Sequence, residues 1–257
     1  MSSSAMFTAV TGTVAQQVRI DVIANNIANL GTHGFKRIRP QFEDLLYETV
    51  RAPVGEGDSP TGLQFGRGTR VVATEHIHTQ GATRQTGQSL DMAIDGAGFF
   101  AVRQLNGDVA YTRNGSFRLD VNGNMVNPSG LQLDPPITIP DDALSITITQ
   151  DGFVRVVQPG SPTPTEVGQI QLTRFLNPAG LEAMGRNLFV ESDASGSPTS
   201  GNPGEEAFGL VSQGAVEESN VNIAEELVNL ILAQRAFEAN TRVISSSDEI
   251  LRFVTQR

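Results

Sequence analysis

The C-terminal segment constrains this chain more than any other part. Ile223, Leu227, Leu230, Gln234, Phe237, Thr241, Ile244, Asp248 and Leu251 follow one another at alternating steps of four and three, the repeat of a coiled-coil seam. Six of these nine seats are apolar. Beside them Ala236, Ala239, Val243 and Ile250 form a second stripe, so a helix here carries apolar surface for more than one neighbour. Asn222 followed by Glu225 has the form of a capping box, and the pattern then runs almost to Arg257. Such a helix must either fold back on its own chain as a hairpin or share its stripes with other subunits.

The opposite end has the same character. Phe7, Val10, Val14 and Val18 recur at helical spacing, and so do Ile20, Ile23, Ile27 and Leu30. Ser4 as N-cap and Gly31 as a stop predict a helix of about 26 residues, roughly 40 Å long. Gly12 inside it costs about 1 kcal/mol of propensity relative to Ala, which packing must offset.

Between the two helices the period changes to two. The runs Ser145–Thr149 and Phe153–Val157 read as strands. Turn dipeptides stand at Asn106-Gly107, Asn114-Gly115, Asn122-Gly123, Ser129-Gly130 and Asp151-Gly152, spaced as in an antiparallel sandwich or barrel. Two segments, Arg51–Gly68 and Asp193–Glu206, have the Gly, Pro and Ser content of exposed loops. The expected fold is α+β: N- and C-terminal helices pairing as a coiled-coil-like module, with a central antiparallel β-rich domain. The expected division is 1–34 and 214–257 as helical segments, 35–88 as linker and extended loop, and 89–213 as the β-rich domain.

Charge and inventory exclude several functions. The net charge is -10, from 18 Lys plus Arg against 28 Asp plus Glu, which argues against a nucleic-acid backbone or an anionic membrane surface as partner. Residues 1–45 carry four basic and three acidic groups, residues 214–257 four and seven, so most of the acidity belongs to the middle. No cysteine is present, which removes disulfides, thiolate metal sites and cysteine nucleophiles. The first basic residue is Arg19 and no continuous apolar stretch precedes it, so the N-terminus does not read as a Sec signal peptide. Leu227–Ala233, interrupted by Asn229, is far shorter than the roughly 20 residues a membrane helix needs.

Candidate chemistry does not converge. His76 and His78 would share one face of a strand, half of a zinc site, but only His33 remains elsewhere. Gly96-Ala97-Gly98 is followed by Phe99-Phe100 rather than by a helix start, so turn or bulge glycines are expected instead of a dinucleotide fingerprint. Asp120-Val121-Asn122-Gly123-Asn124 opens like a calcium loop, but Met125 and Leu131 stand where Gly and Glu belong, and a hairpin turn is expected. No G-x-S-x-G elbow occurs. Accordingly no catalytic, cofactor-binding or metal-binding residue is assigned, and no cofactor is expected.

Asp21-Val22-Ile23-Ala24-Asn25-Asn26-Ile27-Ala28-Asn29 followed by Thr32-His33-Gly34-Phe35-Lys36 resembles the N-terminal signature of the flagellar rod, hook and hook-associated proteins. Ser219-Asn220-Val221-Asn222, Glu225-Glu226-Leu227-Val228 and Gln234-Arg235-Ala236-Phe237-Glu238-Ala239-Asn240 resemble its C-terminal counterpart. Phe42–Tyr47, Leu90–Phe100 and Tyr111–Phe117 are similar to the distal-rod members of that family, so the likeness spans nearly the whole chain.

The resemblance implies a structural subunit that polymerises into a hollow helical drive shaft, transmits torque and carries an export channel. Its terminal helices would line the inner tube, with the β-domain outside. A proximal-rod or hook paralogue, or a fibre or adhesin with coiled-coil ends, is the alternative. Its partners would be other copies of itself, proximal rod proteins, the hook protein and the surrounding periplasmic and outer-membrane ring bushing, with no nucleic acid and no membrane insertion. It would reside in the basal-body rod that crosses the periplasm, exported by the flagellar type III apparatus without a cleavable signal.

The expected assembly interface comprises Val10, Val14, Val18, Ile23, Ile27 and Leu30 with Ile223, Leu227, Leu230, Gln234, Phe237, Thr241, Ile244 and Leu251. The segment from Tyr47 to Gln64, with Arg51, Pro53, Pro60 and Leu63, exceeds ordinary connection lengths and follows the distal-rod-like Phe42–Tyr47. It is expected to bridge neighbouring subunits and keep the polymer straight.

Overall fold

The apolar periodicities at the two ends become two long helices in the computed structural model, α1 (Ser2–Ala28) and α2 (Ile223–Thr255). The structure describes residues 2–51, 62–205 and 207–255. Asn222 starts α2 as the sequence predicts. Its Oδ1 accepts hydrogen bonds from the main-chain N–H of Ala224 (3.0 Å) and Glu225 (3.4 Å), which satisfies two of the donors that a helix start leaves open. α1 ends at Ala28 rather than at Leu30, because Asn29–Thr32 closes as a turn, with Thr32 N–H donating to the Asn29 carbonyl at 3.2 Å.

The chain divides into two compact units. The first holds residues 1–28, 38–76 and 222–257, and the second residues 29–37 and 77–221. In the first unit α1 and α2 pair. The contacts Gly12 to Asn240 and Arg19 to Asn229 show that they run antiparallel. Strand β1 (Ile38–Asp44) pairs antiparallel with β4 (Thr69–His76), and both pack on α1. β2 (Glu48–Arg51) pairs with β3 (Leu63–Phe65). Part of the Arg51–Gly68 segment, read from the sequence as loop, is therefore strand, because Leu63, Gln64 and Phe65 find partners in the β-prone Glu48-Thr49-Val50-Arg51 run. The segment Asp193–Glu206, also read as loop, likewise contains a short strand, Thr199–Gly201, which pairs with Leu172–Arg174.

The second unit is antiparallel β-structure. β7 (Phe99–Arg103) lies at the centre of its largest sheet, hydrogen-bonded to β8 (Val109–Thr112), to Gln132–Asp134 and to Leu172–Arg174. Its side chains alternate between two clusters. Phe100 and Val102 enter the main core with Met92, Ile94, Phe117, Leu133 and Ile170, while Phe99 and Ala101 join Tyr111, Phe175 and Phe189. A strand covered on both faces has no polar side, which is why Phe99-Phe100-Ala101-Val102 reads as an uninterrupted apolar run. The remaining pairs are β5 (Thr83–Gln85) with Ala215–Glu217 and β6 (Met92–Asp95) with Leu210–Gln213. A three-stranded sheet is formed by Ser145–Ile148, Phe153–Gln158 and Ser161–Gln169.

Four of the five turn dipeptides lie between paired neighbouring strands. Asn114-Gly115 does not. A Cβ on Gly115 would sit 1.6 Å from the Met92 carbonyl oxygen, so this glycine serves a close backbone approach rather than a hairpin. The glycines of Gly96-Ala97-Gly98 have φ of 113° and 138° and link β6 to β7 as turn residues.

Candidate assembly interface

The helix pair of the first unit distributes its side chains in an unusual way. On α2 the buried and half-buried residues include Glu226, Leu230, Ala233, Phe237, Asn240, Ile244, Ser247 and Leu251, again at steps of four and three, with Asn229, Ala236 and Asp248 half-buried beside them. Leu230, Phe237, Ile244 and Leu251 are shared with the seam read from the sequence. At the alternate seats Glu226, Ala233, Asn240 and Ser247 are turned inward in place of the exposed Leu227, Gln234 and Thr241, while Asp248 stays half-buried beside Ser247. Small residues at these positions allow close approach. Gly12 of α1 lies so near Asn240 that an added Cβ would stand 2.7 Å from its Nδ2, so the propensity cost of Gly12 is offset by contact.

On α1 the buried residues are Ala9, Ala15, Ile23 and Asn26. The sequence-derived interface residues are split by the structure. Ile23 is buried, and Val18, Ile27, Leu230, Phe237, Ile244 and Leu251 are half-buried. Val10, Val14, Ile223, Leu227, Gln234 and Thr241 are exposed. Leu30 is half-buried and lies past the end of α1, in the second unit. Thr241 turns its hydroxyl onto the Phe237 carbonyl of its own helix (2.9 Å).

The outward faces are apolar. Phe7, Val10 and Val14 on α1, and Leu227, Val228, Ile231, Leu232, Val243, Ile250 and Phe253 on α2, are all exposed, Phe253 to 68%. Val228, Ile231, Leu232 and Phe253 were missed by the heptad frame. They fall on the side of α2 away from Leu230 and Phe237, and a search for further stripes at i, i+3 and i+4 would have found them. Patches of this extent on a monomer mark interaction sites.

Of the segment from Tyr47 to Gln64, Tyr47, Arg51, Leu63 and Gln64 are exposed. Gln64 Nε2 donates to Thr49 Oγ1 at 3.3 Å across the β2–β3 ribbon. Pro53 and Pro60 lie outside the described residues. Of the two histidines, His76 ends β4 in the first unit, and His78 lies in the second, edge-on to Phe99 and Phe189. Among the described residues no cluster of His, Asp and Glu has the geometry to hold a metal ion, and no helix is long and apolar enough to cross a membrane. The Asp120 turn closes on itself, with Asp120 Oδ1 accepting from the N–H of Asn122 and Asn124 at 2.8 Å each. The Asn124 main-chain N–H, foremost among these donors, holds the Asp120 carboxyl below its usual range.

A second arrangement escaped sequence reading. In the second unit Glu217, fully buried, accepts from Lys36 Nζ (2.5 Å), the Gly81 N–H (2.8 Å) and Arg113 Nη1 (3.3 Å). Lys36 also donates to the Thr79 carbonyl (2.8 Å), and Arg113 Nη2 to the Gly96 carbonyl (2.7 Å). Burial lowers the pKa of both Lys36 and Arg113, partly countered by Glu217. No spacing rule brings positions 36, 113 and 217 together.

Models of three protein families match this chain. Residues 6–36 match the flagella basal body rod protein family, 93–156 the flagellar hook protein FlgE/F/G D1 domain, and 212–257 the flagellar basal body rod FlgEFG protein C-terminal domain. The flagellar basal-body rod protein FlgG of Buchnera aphidicola from Acyrthosiphon pisum is 49% identical over 251 residues, covering 96% of each chain. The chain belongs to the FlgG family of flagellar basal-body rod proteins. FlgG of Caulobacter vibrioides is 45% identical over 257 residues, 98% of each chain. The flagellar hook protein FlgE of Salmonella typhimurium is 24% identical over an alignment of 405 positions, covering 95% of this chain and 97% of its own.

FlgG membership makes the chain a structural rod subunit of the flagellar basal body. The family-matched ends also hold polar anchors, buried at Asn26 and half-buried at Asn220. Within the first unit Asn26 reads the main chain of Ile38 with both ends of its amide, donating to the carbonyl and accepting from the N–H at 2.9 Å each. Within the second, Asn220 accepts from the Arg37 N–H (2.7 Å) and donates to the carbonyls of Ile77 (2.8 Å) and Thr79 (3.1 Å). Both asparagines thus act as main-chain mimics, supplying hydrogen bonds where no strand neighbour is available.

Proposed function

We propose that this rod subunit polymerises through the outward faces of its terminal helices into the distal rod, a hollow shaft that transmits torque and leaves an axial channel for later subunits. The observation that carries this reading is the run of large apolar side chains that the helix pair leaves uncovered. Ala9, Gly12, Ala15, Ala233 and Ser247 take inner positions beside Ile23, Leu230 and Phe237, while Phe7, Val14, Ile231, Leu232 and Phe253 are left to solvent. A monomer would gain by the opposite choice, since each large apolar side chain contributes about 1.5–3 kcal/mol when fully buried. Neighbouring copies supply the missing cover through heterologous contacts that repeat without closing.

In this reading residues 1–34 and 214–257 form the polymer core and 89–213 the outer β-domain. The interface comprises Val10, Val14, Val18, Ile27, Leu30, Ile223, Leu227, Leu230, Gln234, Phe237, Thr241, Ile244 and Leu251, with the exposed Val228, Ile231, Leu232 and Phe253 added, and Ile23, buried within the subunit, supports it from beneath. The segment from Tyr47 to Gln64 bridges adjacent copies. Proximal rod proteins, the hook protein and the ring bushing are the neighbours along and around the shaft, and export uses the flagellar type III route. The role is structural rather than catalytic.

Ile231→Glu tests the reading. Its side chain is exposed in the single subunit, so the β-rich unit should keep its fold, whereas each contact in a polymer would bury an unpaired charge at a cost of several kcal/mol. Loss of sedimenting tubes with an unchanged near-ultraviolet spectrum is expected. Normal tubes from Ile231→Glu would refute the assignment of this face.

A further inference from the structure

We propose that Glu217, Lys36, Arg113 and Asn220 form a junction clamp that carries mechanical load between the two units, a role that rests on the rod reading above. The chain passes between the units after residues 28, 37, 76 and 221. Any force passed covalently from one unit to the other therefore runs through three segments of the second unit, residues 29–37, those following 76, and those preceding 222.

All three are fastened at one place. Glu217 takes the Lys36 ammonium and the Gly81 N–H on Oε1 and Arg113 on Oε2, while its own carbonyl accepts from the Gly34 N–H at 2.8 Å. Asn220 ties Arg37 to Ile77 and Thr79, and the Ile77 N–H donates to the Arg37 carbonyl at 2.8 Å. Arg113 anchors the cluster to the body of the unit through the Gly96 carbonyl and by stacking on the Phe99 ring, 5.5 Å from its centroid. Every segment that leads out of the unit is thus bonded to the others before it leaves.

Stability alone does not call for this arrangement. A buried ion pair gains little over well-packed apolar residues of similar volume, because desolvation consumes most of the attraction. What the charges add is direction. Lys36 and Glu217, at 1% and 0% side-chain exposure, cannot slide or exchange for water as an apolar contact can, so the three segments hold fixed positions under strain.

The test uses the full chain expressed in cells whose own rod gene is deleted, with Lys36→Met and Asn220→Ala as separate variants. A core truncation outside the clamp, Ile148→Val or Leu133→Ala, is chosen to match Lys36→Met in urea midpoint. Both clamp variants should build rods of normal length yet lose rotation speed with increasing viscous load faster than the wild type, while the matched truncation follows the wild type.

Equal load responses in the clamp variants and the matched truncation would overturn the proposal. So would failure of both clamp variants to assemble where the truncation succeeds, since that would make the cluster a folding or assembly element. If only one clamp variant assembles, its load response against the truncation decides in the same way. Absence of rods from the wild-type chain itself would count against the rod reading instead.

Discussion

Replacing Glu217 by Gln should destabilise the second unit far more than its isosteric shape suggests. The carboxylate is the shared counter-charge of Lys36 and Arg113, whose side chains are 1% and 5% exposed. An amide in its place leaves two buried cations with no anion, and breaking a buried pair in this way costs about 3–5 kcal/mol. With a urea slope of about 2–3 kcal/mol per molar, the midpoint should fall by about 1–2.5 M. Lys36→Met should cost less, because Glu217 retains Arg113 and the Gly81 N–H and loses one of three donors.

Tyrosine emission reports the transition, because Tyr111 is buried in the second unit and Tyr47 is exposed. The pH dependence has a defined sign. Burial holds the Lys36 ammonium below its free value, so between the two values the unfolded chain binds more protons and stability rises with pH. Lys36→Met should remove that slope. A Glu217→Gln midpoint within about 0.3 M of the wild type, equivalent to under about 1 kcal/mol, would refute the account of this cluster.

Residues 4–30 and 223–254 should exchange amide hydrogens quickly in the free subunit and slowly in the polymer, because isolated helices draw most of their stability from packing; strong protection in the monomer would exclude coupled folding and assembly. Deleting the segment between Tyr47 and Gln64 should permit assembly but give bent or flexible tubes by electron microscopy, and unchanged straightness would reject the bridging role. The Asp120 carboxyl is held below its usual range by the Asn124 and Asn122 donors. Its contribution is therefore present above the ordinary carboxylate pKa and lost as pH falls through the lowered one. Protection factors at the Asn122 and Asn124 amides, taken against the intrinsic rate at each pH, should fall on acidification through that window, and Asp120→Asn should abolish the effect; identical profiles in both proteins would disprove it.

The sequence by itself determined everything that depends on local period and turn chemistry. Helical spacing of Phe7, Val10, Val14 and Val18 at one end and of Leu230, Phe237, Ile244 and Leu251 at the other marked α1 and α2. Asn222 marked the start of α2, and Asn-Gly, Ser-Gly and Asp-Gly pairs marked four bends between strands. These are decided within a few residues, where backbone sterics and side-chain direction act without regard to the rest of the chain. The same information left the helix face open. Leu227 and Glu226 are equally compatible with a repeat of four and three, and only the approach of α1, with Gly12 against Asn240, turned the seam by one residue toward the smaller side chains. The strands of Glu48–Arg51 and Leu63–Phe65 likewise needed each other, since a short ribbon exists only as a pair. The Glu217 cluster lay furthest from reach. Its charges are 181 and 104 residues apart in sequence, and burial of such groups becomes affordable only when the fold delivers all partners to one dry place, a condition that belongs to tertiary structure alone.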